Sequence, residues 1–568
     1  MRIAIIGGGA AAISLLHQLI GKLSELASRA EPIEICIIEK RGEIGPGLAY
    51  ATTDPSHILN LPAKIMSPLP EDPAHFFNWA LEHKHLWQSK FPTIDIEKCA
   101  FPPRALYGVY LQWLLVDLIA KAGQQNISVK QLVNHEAVDV KQEAYSGGYR
   151  VVFAGNDSPP LLCQKVILNV GHLESENFCQ FKDNPSYVHS PWPIETLKKI
   201  PQNGTVFIAG TRLTAVDVVL SLKANGHRGN ILLGSRLGLL PCVIGNVDSS
   251  FNKKHLTYEN ILALSDYGTK KLELDQVIAL FLKEIESDPA KANSTPRFKF
   301  DLERAVNPDI SAYDLLRAEI EEVKTGNQRH WQNVLFSLYS NISFIWNSLS
   351  ERAKETFINK YYSAWMTYLA AFPVENAEKI FSLLTQKEIE VKGGLQQVAY
   401  DAEEEVFNVT FKDQIVQCQY FINATGAGHD ISKTPSLLLQ NMVKSGLLVP
   451  YHLGGVKVDF KSLQPISKEC VIGLFVMGDS GTHGVCMATA DLSQSGKQAT
   501  RIANTIEEQL RLTPALIREI RTSKRLSSEV PPSLMFRGLA RSASENNLNT
   551  QKPQQQQMSS SAPPSILH

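Results

Sequence analysis

Cysteine is scarce in this chain, with 8 among 568 residues. None forms a Cys-x-x-Cys pair and the spacings make no zinc ligand set, so neither a zinc module nor a disulfide framework is expected. Sparse cysteine suits a reducing, cytoplasmic setting. An excess of one charge is lacking too. Lys and Arg number 56 against 57 Asp and Glu, a net charge of −1, so the basic footprint of a nucleic-acid binder is missing. No apolar run is long enough for a membrane span, because the best, residues 110–120, is broken by Gln112 and Asp117. There is no repeat of fixed period. The histidines His57, His75, His172, His429, His452 and His483 have no metal-ligand spacing, so no metal is expected. Residue order supports no Ser-His-Asp arrangement, and the catalytic residues stay unassigned.

What remains is ordinary globular composition, 44% hydrophobic and 20% charged, in a length that suits two to four domains of roughly 100–200 residues. Arg2, the apolar run after it and Ala10-Ala11-Ala12 mimic a signal peptide, but three consecutive glycines would break its helix. A second reading explains those glycines. Residues 2–6 form a short buried strand, residues 11–28 a helix, and residues 33–38 a second apolar strand ending at Glu39. Between the first strand and the helix, Gly7, Gly9 and Ala12 fit G-x-G-x-x-G/A. Gly7 allows the tight turn, Gly9 lets the backbone approach a pyrophosphate, and Ala12 packs the helix close to the sheet. The phosphates then meet the helix N-terminus, and Glu39 can accept both hydroxyls of an adenosine ribose. Near the far end, the apolar residues 474–477 lead into Gly478-Asp479. A carboxylate there can bind a ribityl hydroxyl while the next helix points its positive end at a flavin ring. The pairing favours FAD.

The strand–turn–helix design recurs at residues 206–215, with Gly210 and Ala215 in the turn. Its second strand ends in Ser235-Arg236 without a carboxylate, which suits the 2′-phosphate of NADPH. One residue disagrees. Arg212 stands where the second glycine belongs. It either crowds a pyrophosphate or grips it, or the unit is a relic that no longer binds nicotinamide.

The chain is thereby read as α/β, with two Rossmann-like dinucleotide-binding domains, a helical insertion and a disordered C-terminal tail. Residues 1–200 and 421–512 are assigned to the FAD-binding domain, and 201–256 with 386–420 to the NAD(P)-binding-like domain. Residues 257–385 form the insertion, where Val277, Leu280, Phe281 and Ile285 keep helical spacing. There Trp331, Trp346 and Trp365 read as core before substrate cage. The tail, 522–568, is rich in Ser, Gln, Asn and Pro and is expected to be disordered. A protein-partner segment within it is the alternative.

Longer motifs carry a family resemblance. They are Gly45-Pro46-Gly47-Leu48-Ala49-Tyr50, His57 to Ala63 running on to Met66, Pro102-Pro103-Arg104 with Tyr107-Gly108, Leu213 to Leu220, Asn423-Ala424-Thr425-Gly426 and Gly478-Asp479. Together they resemble a bacterial FAD/NAD(P)-binding oxidoreductase family related in plan to the flavin-dependent N-hydroxylating monooxygenases. The resemblance implies that Gly45, Gly47, Asn60 and Met66 lie along the flavin. It implies that Arg104 sits near FAD or substrate, and that Thr425 and Gly426 belong to a crossover closing the FAD domain. It also implies an enzyme in which NADPH reduces FAD and a small molecule is oxidised, with oxygenation the leading case. An oxidoreductase without oxygenation and a non-enzymatic FAD scaffold are the alternatives, the last favoured by Arg212.

Overall fold

The computed structural model describes residues 1–511 except 28–31, 144–146, 156–157, 247, 249–250, 288–309, 327, 468–470 and 490. The expected tail lies outside the described residues. The chain divides into two units, Met1–Gln509 and Leu510–His568. The first unit holds both glycine turns and the helical insertion.

Five short apolar segments build the first sheet. They are β1 (Arg2–Ile6), β2 (Ile33–Glu39), β3 (Ile127–Val133), β4 (Lys165–Leu168) and, from the far end of the chain, Leu474–Val476. They align in parallel, with β1 between β2 and β4 and the last strand outside β4. Ile3, Ala4 and Ile5 are wholly buried, as expected of a central parallel strand covered on both faces. The helix α1 (Ala10–Ala27) covers one face by burying Leu15, Leu16, Leu19 and Leu23, spaced three and four apart along one stripe. A second helix, α2 (Arg104–Gln124), is long and apolar enough to cross a membrane by composition. It buries Leu106, Tyr107, Tyr110, Leu111, Leu114 and Leu118 and packs on α1 and β3, so it serves as a core helix. The apolar stretch too short for a span is its middle.

The second sheet repeats the plan. Its strands are β5 (Tyr187–Val188), β6 (Val206–Ala209), β7 (Ile231–Gly234), β8 (Ile389–Lys392) and β9 (Tyr420–Asn423), in the order β8-β7-β6-β9-β5 and all parallel. Helix α3 (Leu213–Ala224) packs on it, burying Val216, Val219 and Leu220 in one cluster with Ile208, Ile231 and Ile422. Each such fully buried aliphatic side chain contributes about 1.5–3 kcal/mol.

This sheet corrects the domain boundaries. The sequence pattern assigns Tyr187–Val188 and residues 421–423 to the FAD-binding domain, yet both pair within the second sheet. The chain therefore crosses between the sheets after β4 and returns after β9. The two crossings touch each other. Gly428 donates its N–H to the Leu173 carbonyl, and the Ser175 and Thr425 hydroxyls lie 3.0 Å apart.

The insertion is helical among the described residues from 258 to 385. Val277, Leu280 and Phe281 pack against its core, which contains Ile285, Trp331 and Trp346, and Trp365 packs there too. Two of its helices are α4 (Ile342–Ser348) and α5 (Tyr362–Leu369). After Leu474–Val476, here β10, the expected single helix is two, α6 (Asp479–Cys486) and α7 (Leu492–Arg511). The break falls at Met487 and Ala488, whose φ angles of 28° and 56° are left-handed and cannot continue a right-handed helix.

Candidate functional site

Both glycine turns are built alike. Gly7 has φ 106°, and a Cβ there would lie 1.8 Å from the Asn169 carbonyl oxygen. Gly210 has φ 121°, and its Cβ would lie 2.4 Å from the Ala424 carbonyl. In each sheet the first glycine presses against the carbonyl at the end of the next strand, so only glycine fits. Gly9 is different. A Cβ there would make only an ordinary contact, with the Gly47 Cα at 3.7 Å. Ala12 is wholly buried. Glu39 accepts hydrogen bonds from the N–H groups of Gly8, at 2.8 Å, and Arg41, at 3.0 Å. Its carboxylate therefore holds the turn.

Asn169, a residue with no signature in the sequence, ties three parts together. Its N–H donates to the Ile6 carbonyl, and its side-chain amide donates to the Gly7 carbonyl at 3.2 Å. Its Oδ1 would lie 3.2 Å from a Cβ on Gly478, which has φ 86°. The turn at Gly478 thus sits directly beside the turn at Gly7.

A cavity of about 1560 Å³ runs past the second turn, at residues 210–214, and reaches Lys40 and Arg41 just beyond β2, whereas Gly7, Gly9, Ala12, Glu39, Ala215 and Gly478 are not on its wall. Asn60, Met66, Gly210, Arg212, Arg236, Thr425, Gly426 and Asp479 line it. The insertion contributes Asn333, Phe336, Tyr339, Tyr362 and Met366, none of which the sequence singles out. Gly45 and Gly47 do not line it. Gly45 donates its N–H to the Gly8 carbonyl at 2.7 Å, and a Cβ on Gly47 would meet the Gly9 Cα at 3.2 Å, so this pair buttresses the first turn. Leu48 and Tyr50 face the cavity instead.

Arg104 is also absent from the cavity wall. Its guanidinium donates to Asp217 on α3 at 2.7 Å and to the Ile58 carbonyl at 3.0 Å. Next to it, His57 is wholly buried with its Nε2 2.8 Å from Ser221 Oγ. Ser221 donates to Asp54 Oδ2 at 2.5 Å, so the imidazole N–H is the donor to Ser221. Motifs of the resemblance, around His57, at Arg104 and along α3, therefore meet one another and latch the loop at 52–61 to α3.

Arg212 caps the N-terminus of α3, its carbonyl accepting from the Val216 N–H. Its side chain lines the cavity, with no hydrogen-bond or ion-pair partner among the described residues. Burial lowers its pKa, and Arg236 nearby adds to that, while Tyr362 opposes it. A cation so held favours an anionic ligand.

Across the cavity, His429, Asp479 and His483 converge with ligand atoms within 4.8 Å of one another. Sequence spacing offers no hint of His429, although Asp479 and His483 stand four apart on one helix. The imidazoles of His429 and His483 stack with centroids 3.7 Å apart at 12°. A metal about 2.0–2.1 Å from each nitrogen has to lie near both ring planes; stacked parallel planes share no such point. The arrangement is a stacked pair beside a carboxylate. Burial and the neighbouring His483 push the His429 pKa down to about 4. Burial raises that of Asp479, but His483 and His429 outweigh it and hold the carboxyl below its usual range.

Residues 4–173 match the FAD-NAD(P)-binding family model. Proteins of Mycobacterium tuberculosis and Mycobacterium bovis, both described only as uncharacterized, are 20% identical over 290 residues, covering 44% of this chain and 54% of theirs. The chain spans about half the length of the curated relatives it matches. Among solved structures, the ornithine hydroxylase of Pseudomonas aeruginosa superposes with a TM-score of 0.52 at 12% identity, over 90% of this chain and 99% of that one. The L-lysine 6-monooxygenase of Pseudomonas syringae gives 0.52 at 13%, over 90% and 99%. The ornithine N-hydroxylase of Kutzneria sp. 744, solved with reduced FAD, NADP+ and L-ornithine, gives 0.51 at 14%, over 89% and 99%.

The two parallel sheets and their paired glycine turns define a class, the two-domain FAD/NAD(P)-binding flavoprotein fold. Within it, residues 4–173 match an FAD-NAD(P)-binding family model, and the fold is the one shared by the ornithine hydroxylase and the L-lysine 6-monooxygenase.

Proposed function

We propose that the protein is an FAD-dependent, NADPH-linked oxidoreductase of the monooxygenase type acting on a small molecule. The observation that carries this reading is the cavity that passes the second glycine turn, reaches Lys40, Arg41 and Asp479 at the first sheet, and is walled in part by the insertion. FAD fits beside the first turn, where Lys40, Arg41 and Asp479 line the cavity. NADPH fits the second, where Arg212 and Arg236 line the wall and are available to its phosphates. Bound there, FAD would supply hydride acceptance and reaction with oxygen.

The residues divide the remaining work. Glu39 and the α1 N-terminus hold the adenosine and pyrophosphate end. Asp479 holds the ribityl chain, and the N-terminus of α6 offers positive potential to the ring. Tyr362 and Met366 from the insertion cover the reacting region and exclude water. The similar structures are named for ornithine and lysine, both small polar molecules, and a substrate of that class would lie between the insertion and the cofactors. Arg212 favours a second reading, an FAD-binding protein with a degenerate nicotinamide site. Anaerobic addition of NADPH to the purified yellow protein separates the two. Bleaching of the flavin bands supports the enzyme, and no bleaching supports the degenerate site. A colourless protein that FAD cannot reconstitute sinks both.

A further inference from the structure

A second cavity, of about 120 Å³, lies within the insertion. Helix α5 separates it from the main one. Tyr362, Ser363, Met366 and Thr367 line the main cavity, while Ala364, Trp365 and Tyr368 line the second. At about 100° per residue these two sets occupy opposite faces of the helix. The partition continues at the break between α6 and α7, where Met487 lines the second cavity and Ala488 the main one. Both have left-handed backbones, a strained conformation that clusters at functional places.

The second cavity is walled by aliphatic and aromatic groups such as Leu256, Phe281, Ile345 and Leu349. Trp346, another wall residue, directs its indole N–H to the Gly484 carbonyl at 2.8 Å. Ser343 donates to the Cys486 carbonyl at 2.7 Å. These two bonds bolt α4 to α6, the helix that carries Asp479 and His483, so the cavity lies beside the reacting end of the main one. A buried water needs two to four polar partners, whereas apolar voids of about 150 Å³ stay dry and take benzene or xenon.

We infer that this cavity is a dry holding site for dioxygen, which reaches the main cavity past Met487 and Ala488. The inference rests on the reading of the protein as an oxygen-using flavoprotein. A small uncharged gas suits a wall whose exposed surface is almost entirely apolar. An apolar arm of a substrate bound in the main cavity would have to pass the backbone of α5, which the gas does not.

The test begins with xenon, an apolar probe of similar size. Crystals of the full chain pressurised with xenon should hold an atom beside Ala364 and Met487. Ala364→Leu should expel it, and Ile345→Phe fills the same space from another wall should the first variant fail to fold. The flavin of each variant is then reduced and mixed with buffers of graded oxygen content. The bimolecular rate of reoxidation should fall at least fivefold, with FAD content and anaerobic reduction by NADPH unchanged. An empty pocket in the wild-type protein overturns the proposal, as does unchanged reoxidation in a variant that excludes xenon. Failure of the underlying reading is distinct, because it appears as absence of bound FAD or as reduced flavin inert to oxygen in the wild type. Either result withdraws the oxygen assignment whatever the xenon map holds.

Discussion

Arg104 and Asp217 form a two-pronged ion pair, at 2.7 and 3.5 Å, between a helix of the first sheet and a helix of the second. The Asp217 side chain is 5% exposed, so removing its partner leaves a buried charge uncompensated, at a cost of about 3–5 kcal/mol. Arg104→Ala should therefore lower the denaturant midpoint sharply. Arg104→Met with Asp217→Leu should recover much of the loss. FAD content per folded molecule should stay constant throughout, and a loss of FAD without a loss of stability would return Arg104 to the cofactor.

The two glycines of the first turn should fail differently. Gly7→Ala places a Cβ against the Asn169 carbonyl, a contact of 1.8 Å that no relaxation of a flexible side chain can relieve, and should yield insoluble protein. Gly9→Val meets only the Gly47 Cα, in ordinary contact at 3.7 Å from its Cβ, and should fold, with a normal far-ultraviolet circular dichroism spectrum, yet purify colourless. Soluble Gly9→Val with full FAD content would count against the site.

Arg236→Ala should weaken NADPH roughly ten- to a hundredfold, because a charge-assisted contact to a 2′-phosphate is worth about 1.5–3 kcal/mol. NADH should be unaffected. Arg212→Gly is informative in either direction. If the guanidinium grips the pyrophosphate, the change slows flavin reduction, and if it obstructs, the change speeds it. Anaerobic stopped-flow reduction reads both variants, and indifference to Arg212→Gly would remove that residue from the nicotinamide site.

His429 carries a pH dependence. Its folded pKa, about 4, lies below the roughly 6.5 of an unfolded histidine, so between these values the unfolded chain binds more protons. Stability therefore rises with pH across that window and is lost as pH falls from about 6.5 towards 4. In the apo-protein, where no flavin contributes, the melting temperature of His429→Asn should depend less steeply on pH over this range than that of the wild type. Equal slopes would refute the assignment.

The first βαβ unit was legible because its period, its glycines and Glu39 all point the same way. The second was legible from its strand–turn–helix period and Gly210 despite Arg212, and so was the helical character of the described residues between 258 and 385. Sheet membership was not. A four-residue apolar strand such as Tyr420–Asn423 has no feature that selects one parallel sheet over another, and Tyr187–Val188 is too short to have a pattern at all. Arg104 stayed open between cofactor and bridge because a cation in a Pro-Pro-Arg motif reads the same whether it meets a phosphate or an aspartate on another helix. Tyr362 and Met366 were hidden for a related reason, since helical spacing reports that a face is buried but not whether it faces core or cavity. The break at Met487 and Ala488 had no signal either, because nothing in the residue type marks a left-handed methionine.

The two crossings between the sheets, joined by the Leu173–Gly428 bond and the Ser175–Thr425 hydroxyl contact, act mechanically as a ribbon rather than a string. A single strand swivels in every direction, whereas two strands fastened side by side bend about one axis and resist torsion. Opening at this junction is thus confined to a flexing motion, with Thr425 and Gly426 on the cavity wall at the fold line. Each nicotinamide encounter would meet the flavin at the same angle, with alignment governed by the covalent path of the chain and not by a search over orientations.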